Sequence, residues 1–338
     1  MSEFEFQPMD LGKLRTYSIA KREHKVDLNR AGKLTDVGAS AMSLLDSMPD
    51  YLGAQSFRKI VEAVAAARKH DRPVVIAMGA HVVKVGCAPL IIDLMERGIV
   101  NALAFNGATA IHDVELATLG QTSEEVADTI RDGSFGMVQE TMSFFAEVCD
   151  EAAKSNVGLG HAIAAKLVRD EVPHRDSSIL AAAGRLGIPV TVHVALGTDT
   201  VHMAGNLDAG KLGAASLLDF RLLCNIVGQL GAMPDTVGAD GKNGQHAGDG
   251  HGIGGVWLNV GSAVILPEVF LKAVSVARNL GANLDAMVAA NFDMQRHYRT
   301  TENVIRRPVA KGRGHQVVGH HEILLPLLRH AVIEALAR

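Results

Sequence analysis

Aromatic residues are scarce. Phe, Trp and Tyr make up 4% of the 338 residues, and Trp257 is the one tryptophan. A core with so few rings must be filled by Ala, Val, Leu, Ile and Met. That suits close packing of helices on a sheet and offers little for stacking nucleic-acid bases. Cysteine is also rare. Cys87, Cys149 and Cys224 are odd in number, far apart and without CxxC or zinc spacing. This excludes a disulfide framework and points to a reducing, cytoplasmic setting. No apolar run has the length of a membrane span. The opening MSEFEFQPMD lacks a basic segment followed by an apolar one, so no secretory leader is expected. The net charge is −4 and no basic run exceeds a few residues, which leaves no footprint for nucleic acid. The short glycine turns Gly79-Ala80-His81 and Asn106-Gly107-Ala108 lack the GxGxxG fingerprint of dinucleotide folds as well.

What remains is an ordinary globular composition, 48% hydrophobic and 21% charged. A chain of this length can bury a full core in one large α/β domain or two smaller ones. The stretch from Pro73 to Asp113 organises the rest. Pro73–Met78 is a short β-branched run, as expected of a strand buried on both faces. Gly79 breaks it. Pro89 suits a first helical turn, Leu90, Ile91, Leu94 and Met95 share one helical face, and Gly98 stops the helix. Asn101–Phe105 is a second strand, broken by Asn106-Gly107. Strand, crossover helix and strand make a parallel βαβ unit.

Further strands are expected at Ile188–Val194, Val256–Asn259 and Met287–Asn291, alternating with helices. Thr122-x-x-Glu125 reads as a capping box opening a helix. Asp176 or Ser177 would cap a helix that Gly187 ends, and His320–Leu336 is an amphipathic helix. Residues 1–50 read as a solvated N-terminal arm that can pack on a neighbouring subunit. Residues 231–255 form a Gly/His-rich insertion carrying His246 and His251, and 292–316 is basic and irregular. With no clean linker, residues 51–338 are taken as a single α/β domain with a mostly parallel, Rossmann-like sheet and helices on both faces.

Open parallel sheets bind ligands at the carboxyl ends of their strands. His81, Lys84, Asn106, Gly107, His112, Asp113, Asp199, Asn259, Gly261 and Asn291 fall at such ends. Glycine turns followed by helix N-termini favour a nucleotide, although they also simply permit tight turns. A His/Asp cluster of His81, His112, Asp113 and His193 could instead hold a metal for hydrolysis, but no HxH or HExxH spacing supports it. Lys84 and Lys311 are the lysines suited to imine chemistry, Lys311 because Arg306, Arg307 and Arg313 surround it. Those arginines would favour an anionic substrate.

The order of elements resembles the deoxyhypusine synthase family. The likeness rests on GAHVVKVGCAPLIIDLMERGIVNALAFNGATAIHD, LAAAGRLGIPVTVHVALGTD, the segment from Leu258 to Asp293, and VVGHHEILLPLL. It implies a homotetramer with sites between subunits and NAD as cofactor. By that resemblance NAD would meet Ala80, His81, Val82, Val83, Lys84, Asn106, Gly107, Ala108, Asp199, Gly261, Asn291, His320 and His321. His81 or His112 would serve as general base with Asp113 orienting it, and Lys311 would hold an imine. The sequence departs from the family where an acidic pair holds the polyamine, since Ile111 and His112 stand there. It also lacks the tryptophan beside the catalytic lysine. The expectation is therefore an NAD-dependent transferase or oxidoreductase acting on an amine or related small substrate, short of a true deoxyhypusine synthase. The alternatives are the metal-dependent hydrolase and a non-catalytic NAD- or ligand-binding protein.

Overall fold

The computed structural model describes residues 5–231 and 252–338. Six parallel strands form one sheet: β1 Val74–Met78, β2 Ala102–Asn106, β3 Val190–His193, β4 Val256–Val260, β5 Val288–Asp293 and β6 Gly314–Val318. Their order is β3-β2-β1-β4-β5-β6. The direction of winding reverses between β1 and β4, so this is the switch point at which such sheets open a crevice.

The helices, in chain order, are α1 Ala41–Ser47, α2 Leu52–Lys69, α3 His81–Lys84, α4 Ala88–Glu96, α5 Gly107–Leu119, α6 Val126–Thr129 and α7 Gln139–Ser155. They continue with α8 Leu159–Arg169, α9 Ile179–Leu186, α10 Ala209–Gly228, α11 Ile265–Asn279, α12 Tyr298–Thr300 and α13 His321–Ala337. None of the described helices is long and apolar enough to cross a membrane.

Strand alternation splits the core into two layers. Val74, Ile76, Met78, Leu103, Phe105, Leu258 and Phe292 face α2, α4, α5, α9 and α13. Val75, Ala77, Ala102, Ala104, Trp257 and Ala289 face α10 and α11. All five residues of β1 are buried, as its unbroken apolar run requires. In the second layer the small side chains of β1 and β2 leave room for Trp257, whose ring stacks on Phe270 at 4.2 Å and 11°.

The expected α/β architecture with a parallel sheet is present, with three changes of detail. A sixth strand, Gly314–Val318, begins in the segment read as irregular; it is an edge strand in which only His315 and Val317 are buried, so it lacks a dense apolar run. The expected capping box does not form. Glu125 caps the short α6 instead, through the Ala127 amide at 3.2 Å, and Thr122 is engaged elsewhere. Helix α9 begins at Ile179, with Ser178 rather than Asp176 or Ser177 as its cap. Most of the Gly/His-rich insertion, including His246 and His251, lies outside the described residues.

The three cysteines are free and buried. Burial pushes the Cys87 and Cys149 thiols up to about 11 and raises Cys224 as well. Native protein at pH 8 is expected to leave an aromatic disulfide reagent unconsumed, and all three thiols are expected to react once the chain is unfolded.

Candidate functional site

The turns after β1 and β4 abut. The Gly79 amide donates to the Val260 carbonyl at 2.9 Å, and a Cβ on Gly79 would stand 2.1 Å from the Gly261 carbonyl oxygen. Glycine is required at 79 because backbone already fills its side-chain space. Gly261 adopts φ +66°, and the His321 ring lies 3.0 Å from where its Cβ would be. His81, at the start of α3, meets His321 edge-on with centroids 5.7 Å apart. His321 is buried, and desolvation lowers its pKa. The neighbouring Val82 and Val83 are core residues, whereas His320 is exposed beside Glu322 at 3.6 Å.

One row of amides crosses the sheet, because Asn259, Asn291 and Gln316 are in register on β4, β5 and β6. Asn259 Nδ2 donates to Asn291 Oδ1 at 2.6 Å, and Asn291 Nδ2 to Gln316 Oε1 at 3.2 Å. Asn259 Oδ1 is buried without a partner. Asn106 is occupied as well: its Oδ1 accepts the Thr109 amide at 2.9 Å and the Thr109 hydroxyl at 2.6 Å, capping α5.

Beyond β1 and β2 lies a cavity of about 750 Å³. Its walls include Lys84, Ala108, His112, Glu115, Thr122 and Asp199. The volume falls within the range of small-molecule sites. His112 is held from one side. Its Nδ1 lies 2.6 Å from the Thr122 hydroxyl, and that hydroxyl in turn donates to Glu115 Oε2. Thr141, on α7, donates to Glu115 Oε1 at 3.0 Å. Burial would raise the Glu115 carboxyl, but His112, 3.7 Å away, and the hydroxyls of Thr122 and Thr141 outweigh it and hold the group below its usual range.

Asp113 does not orient His112. Its carboxylate turns to the other side of α5 and accepts the Ile179 amide at 2.8 Å, the Leu180 amide at 3.0 Å and the Ser178 hydroxyl at 2.6 Å. It is fully buried and caps α9 from outside that helix. The geometry of a helix explains the exchange of roles. Residue i+1 points away from residue i, whereas i+3 lies on the same face, so Glu115 takes the position that sequence proximity suggested for Asp113.

Asp199 occupies the N-terminus of α5. Its carboxylate takes the Ala108 amide, and a Cβ on Gly107 would stand 2.0 Å from Asp199 Oδ2. Burial raises its pKa, opposed by His202 and that amide. His202 Nδ1 accepts the amides of Gly197 at 3.1 Å and Asp199 at 3.2 Å, which leaves Nε2 facing Asp199 Oδ2 at 3.8 Å. Neither facing atom has a hydrogen-bond partner. Glu115, Thr122, Thr141 and His202 were thus not read as site residues. Only Glu115 had a usable signal, its i+3 spacing from His112.

Other expected groups lie elsewhere. Lys311 is exposed and precedes β6, at the amino edge of the sheet. β6 is four strands from β2, roughly 19 Å away across the sheet and a strand length below the cavity. Lys84 is the lysine on the cavity wall. Arg306 pairs with Glu302 at 2.8 Å, Arg307 donates to Asn303 at 2.9 Å, and Arg313 donates to the Ala286 carbonyl at 2.6 Å. None of these arginines lines the cavity. His193 is buried against the Thr191 hydroxyl at 2.9 Å, and desolvation lowers its pKa to about 4. With Asp113 also turned away, the four proposed metal ligands do not converge. Among the described residues no cluster of three or more His, Cys, Asp or Glu could hold a metal ion.

No protein-family model and no curated protein matches the chain. Solved structures do. Unliganded AgrE superimposes with a TM-score of 0.53 at 14% identity, covering 83% of this chain and 32% of that one. AgrE in its ternary complex with ornithine and NAD+ gives 0.52 at 12% identity, covering 88% and 34%. The chain therefore spans about a third of the length of AgrE. A protein of Entamoeba histolytica assigned as a deoxyhypusine synthase gives 0.48 at 11% identity, covering 90% of this chain and 96% of that one. The fold is thus shared with about a third of a chain whose structure holds ornithine and NAD+.

Proposed function

We propose that this chain is an NAD-dependent enzyme that oxidises a small amine-bearing substrate, with His112 as its general base. The observation that carries this reading is the cavity at the carboxyl ends of β1 and β2, with a histidine on its wall held by Thr122 and Glu115. AgrE, about a third of which shares this fold, was crystallised with ornithine and NAD+.

The residues present fit such a cofactor in a particular way. Asp199 Oδ2, Asn259 Oδ1 and His321 Nδ1 are buried polar atoms without partners, all at the carboxyl end of the sheet. Asp199 suits a ribose hydroxyl, which would donate to it. The N-terminus of α5 does not suit the diphosphate, because Asp199 already fills it. Lys84 is the cation available to a phosphate. When bound, NAD supplies a hydride acceptor. His112 would take the proton that the amine releases, through Nε2, the ring nitrogen not engaged by Thr122.

The cavity wall carries Glu115, Glu124, Glu140 and Asp199 against Lys84, a balance that favours a cationic amine over an anion. The position of Lys311 gives no support to imine transfer within one chain. We also propose assembly into homotetramers, supported by the exposed large apolar side chains Phe6, Met9, Leu14, Leu28, Leu34 and Val37 of the N-terminal arm. Light scattering that returns the mass of a single chain would remove that part.

Calorimetric titration with NAD tests the main reading. Binding is expected in wild type and in His112→Gln, and Asp199→Asn should weaken it about tenfold. With a panel of small amines, His112→Gln should lower turnover by about 10²- to 10⁴-fold. No heat at millimolar NAD would refute the proposal. Binding without turnover of any amine would leave a ligand-binding protein.

A further inference from the structure

The roof of the cavity, residues 121–135, joins α5 to α7 and is held very lightly. None of these residues is buried, and only Thr122, Thr129 and Phe135 are even half-buried. Its backbone turns through left-handed conformations at Ser123 (φ 73°) and Gly133 (φ 81°), and Gly120 (φ 79°) and Gly136 (φ 71°) flank it. Its backbone hydrogen bonds run within it or to the adjoining residues: the Asp128 and Thr129 amides donate to the Glu125 carbonyl, those of Ser134 and Phe135 to the Thr129 carbonyl, and that of Met137 to the Ser134 carbonyl, while the Gly136 amide donates to the Glu124 side chain. Among the described residues, one side chain carries its hydrogen bonding beyond these adjoining residues to the far wall of the cavity: Thr122, which reaches His112 and Glu115.

That link has a direction. A threonine hydroxyl has one proton and Glu115 can only accept, so the Thr122 proton goes to Glu115. Toward His112 the same oxygen must then accept, which puts a proton on His112 Nδ1. The neutral ring consequently keeps its lone pair on Nε2. We infer that residues 121–135 are a lid over the cavity, and that Thr122 is its latch and a positioning residue that sets the tautomer of His112. Closing the roof and preparing the base are then one event. Opening it removes both the cover and the acceptor that fixes the ring.

This inference rests on His112 being the base of the proposed reaction, but its test needs no NAD and no substrate. Histidine-labelled protein is examined by long-range ¹⁵N–¹H correlation, with His112→Gln to assign the ring. Wild type should show His112 as the Nδ1–H tautomer. Glu115→Ala frees the Thr122 proton to turn toward the ring, so the Nδ1–H form should lose its dominance. Thr122→Val should raise amide exchange across residues 121–135 about tenfold while α7 keeps its protection, and Thr122→Ser should restore the wild-type rate. An Nε2–H ring in wild type overturns the tautomer assignment. Exchange unchanged in Thr122→Val overturns the latch. Failure of NAD to bind would leave both measurements standing.

Discussion

Asp113→Ala is expected to lower the unfolding free energy by about 3–5 kcal/mol, one of the largest single-site losses in this chain. The wild-type carboxylate receives the Ser178 hydroxyl and the Ile179 and Leu180 amides in a fully buried site. Alanine would leave three donors at the first turn of α9 without acceptors, where water does not reach them. Helix α9 packs on α4, α5 and α8, so the loss extends beyond one helix end. Denaturant titration should show a lower midpoint with an unchanged slope. His112→Gln, one residue away, should move the midpoint little, because His112 lines a cavity rather than the core. A stable Asp113→Ala that fails only in turnover would instead return Asp113 to the catalytic role that its place in the sequence suggested.

A second large effect is expected from Asp219. This residue of α10 accepts the Gly160 amide at 2.9 Å and the Val192 amide at 2.8 Å, joining α8 to β3. Burial pushes its carboxyl up to about 7 against the pull of those amides. The folded chain therefore holds this proton at pH values where the unfolded chain has released it. Stability from this group is fully present below the unfolded value of 3.8 and is lost as pH rises to about 7, with no further change above. The shift corresponds to a few kcal/mol, on the order of 1.4 per pH unit. Thermal unfolding of wild type and of Asp219→Asn from pH 4 to 8 should show this decline as the difference between the two, because the opposing contribution of buried His193 is common to both. The asparagine oxygen can still accept both amides while nothing remains to ionise. A difference between wild type and Asp219→Asn that stays constant from pH 4 to 8 would contradict the assignment.

Asp113 and Asp219 also mark the boundary of what the sequence reveals. The parallel sheet was legible because β1 is a continuous apolar run, β2 and β4 are broken only by one asparagine each, and a glycine follows all three, a pattern set by burial on both faces. The edge strand β6 was not, because only His315 and Val317 of its five residues are buried. Residues at strand ends could be named, but their partners could not. Asp113 is adjacent to His112 in sequence and on another face in space, whereas Thr122 looked like a helix cap and instead bonds a histidine ten residues earlier. Asp199 was read as a contact for a nucleotide. Its carboxylate fills the N-terminus of α5, the kind of helix end that favours a nucleotide when it is open. Each of these depends on which way a side chain turns after the chain has crossed over, and local periodicity carries no record of that.

The single tryptophan has a practical consequence. Trp257 is buried and stacked on Phe270 in the layer formed by α10 and α11. The cavity and its roof contain no tryptophan. Intrinsic emission is therefore an optical gauge for one half of the molecule, reporting when the α11 side comes apart. A fluorophore attached at Ser123, with the three native thiols shielded by burial, would supply the missing channel for the other half.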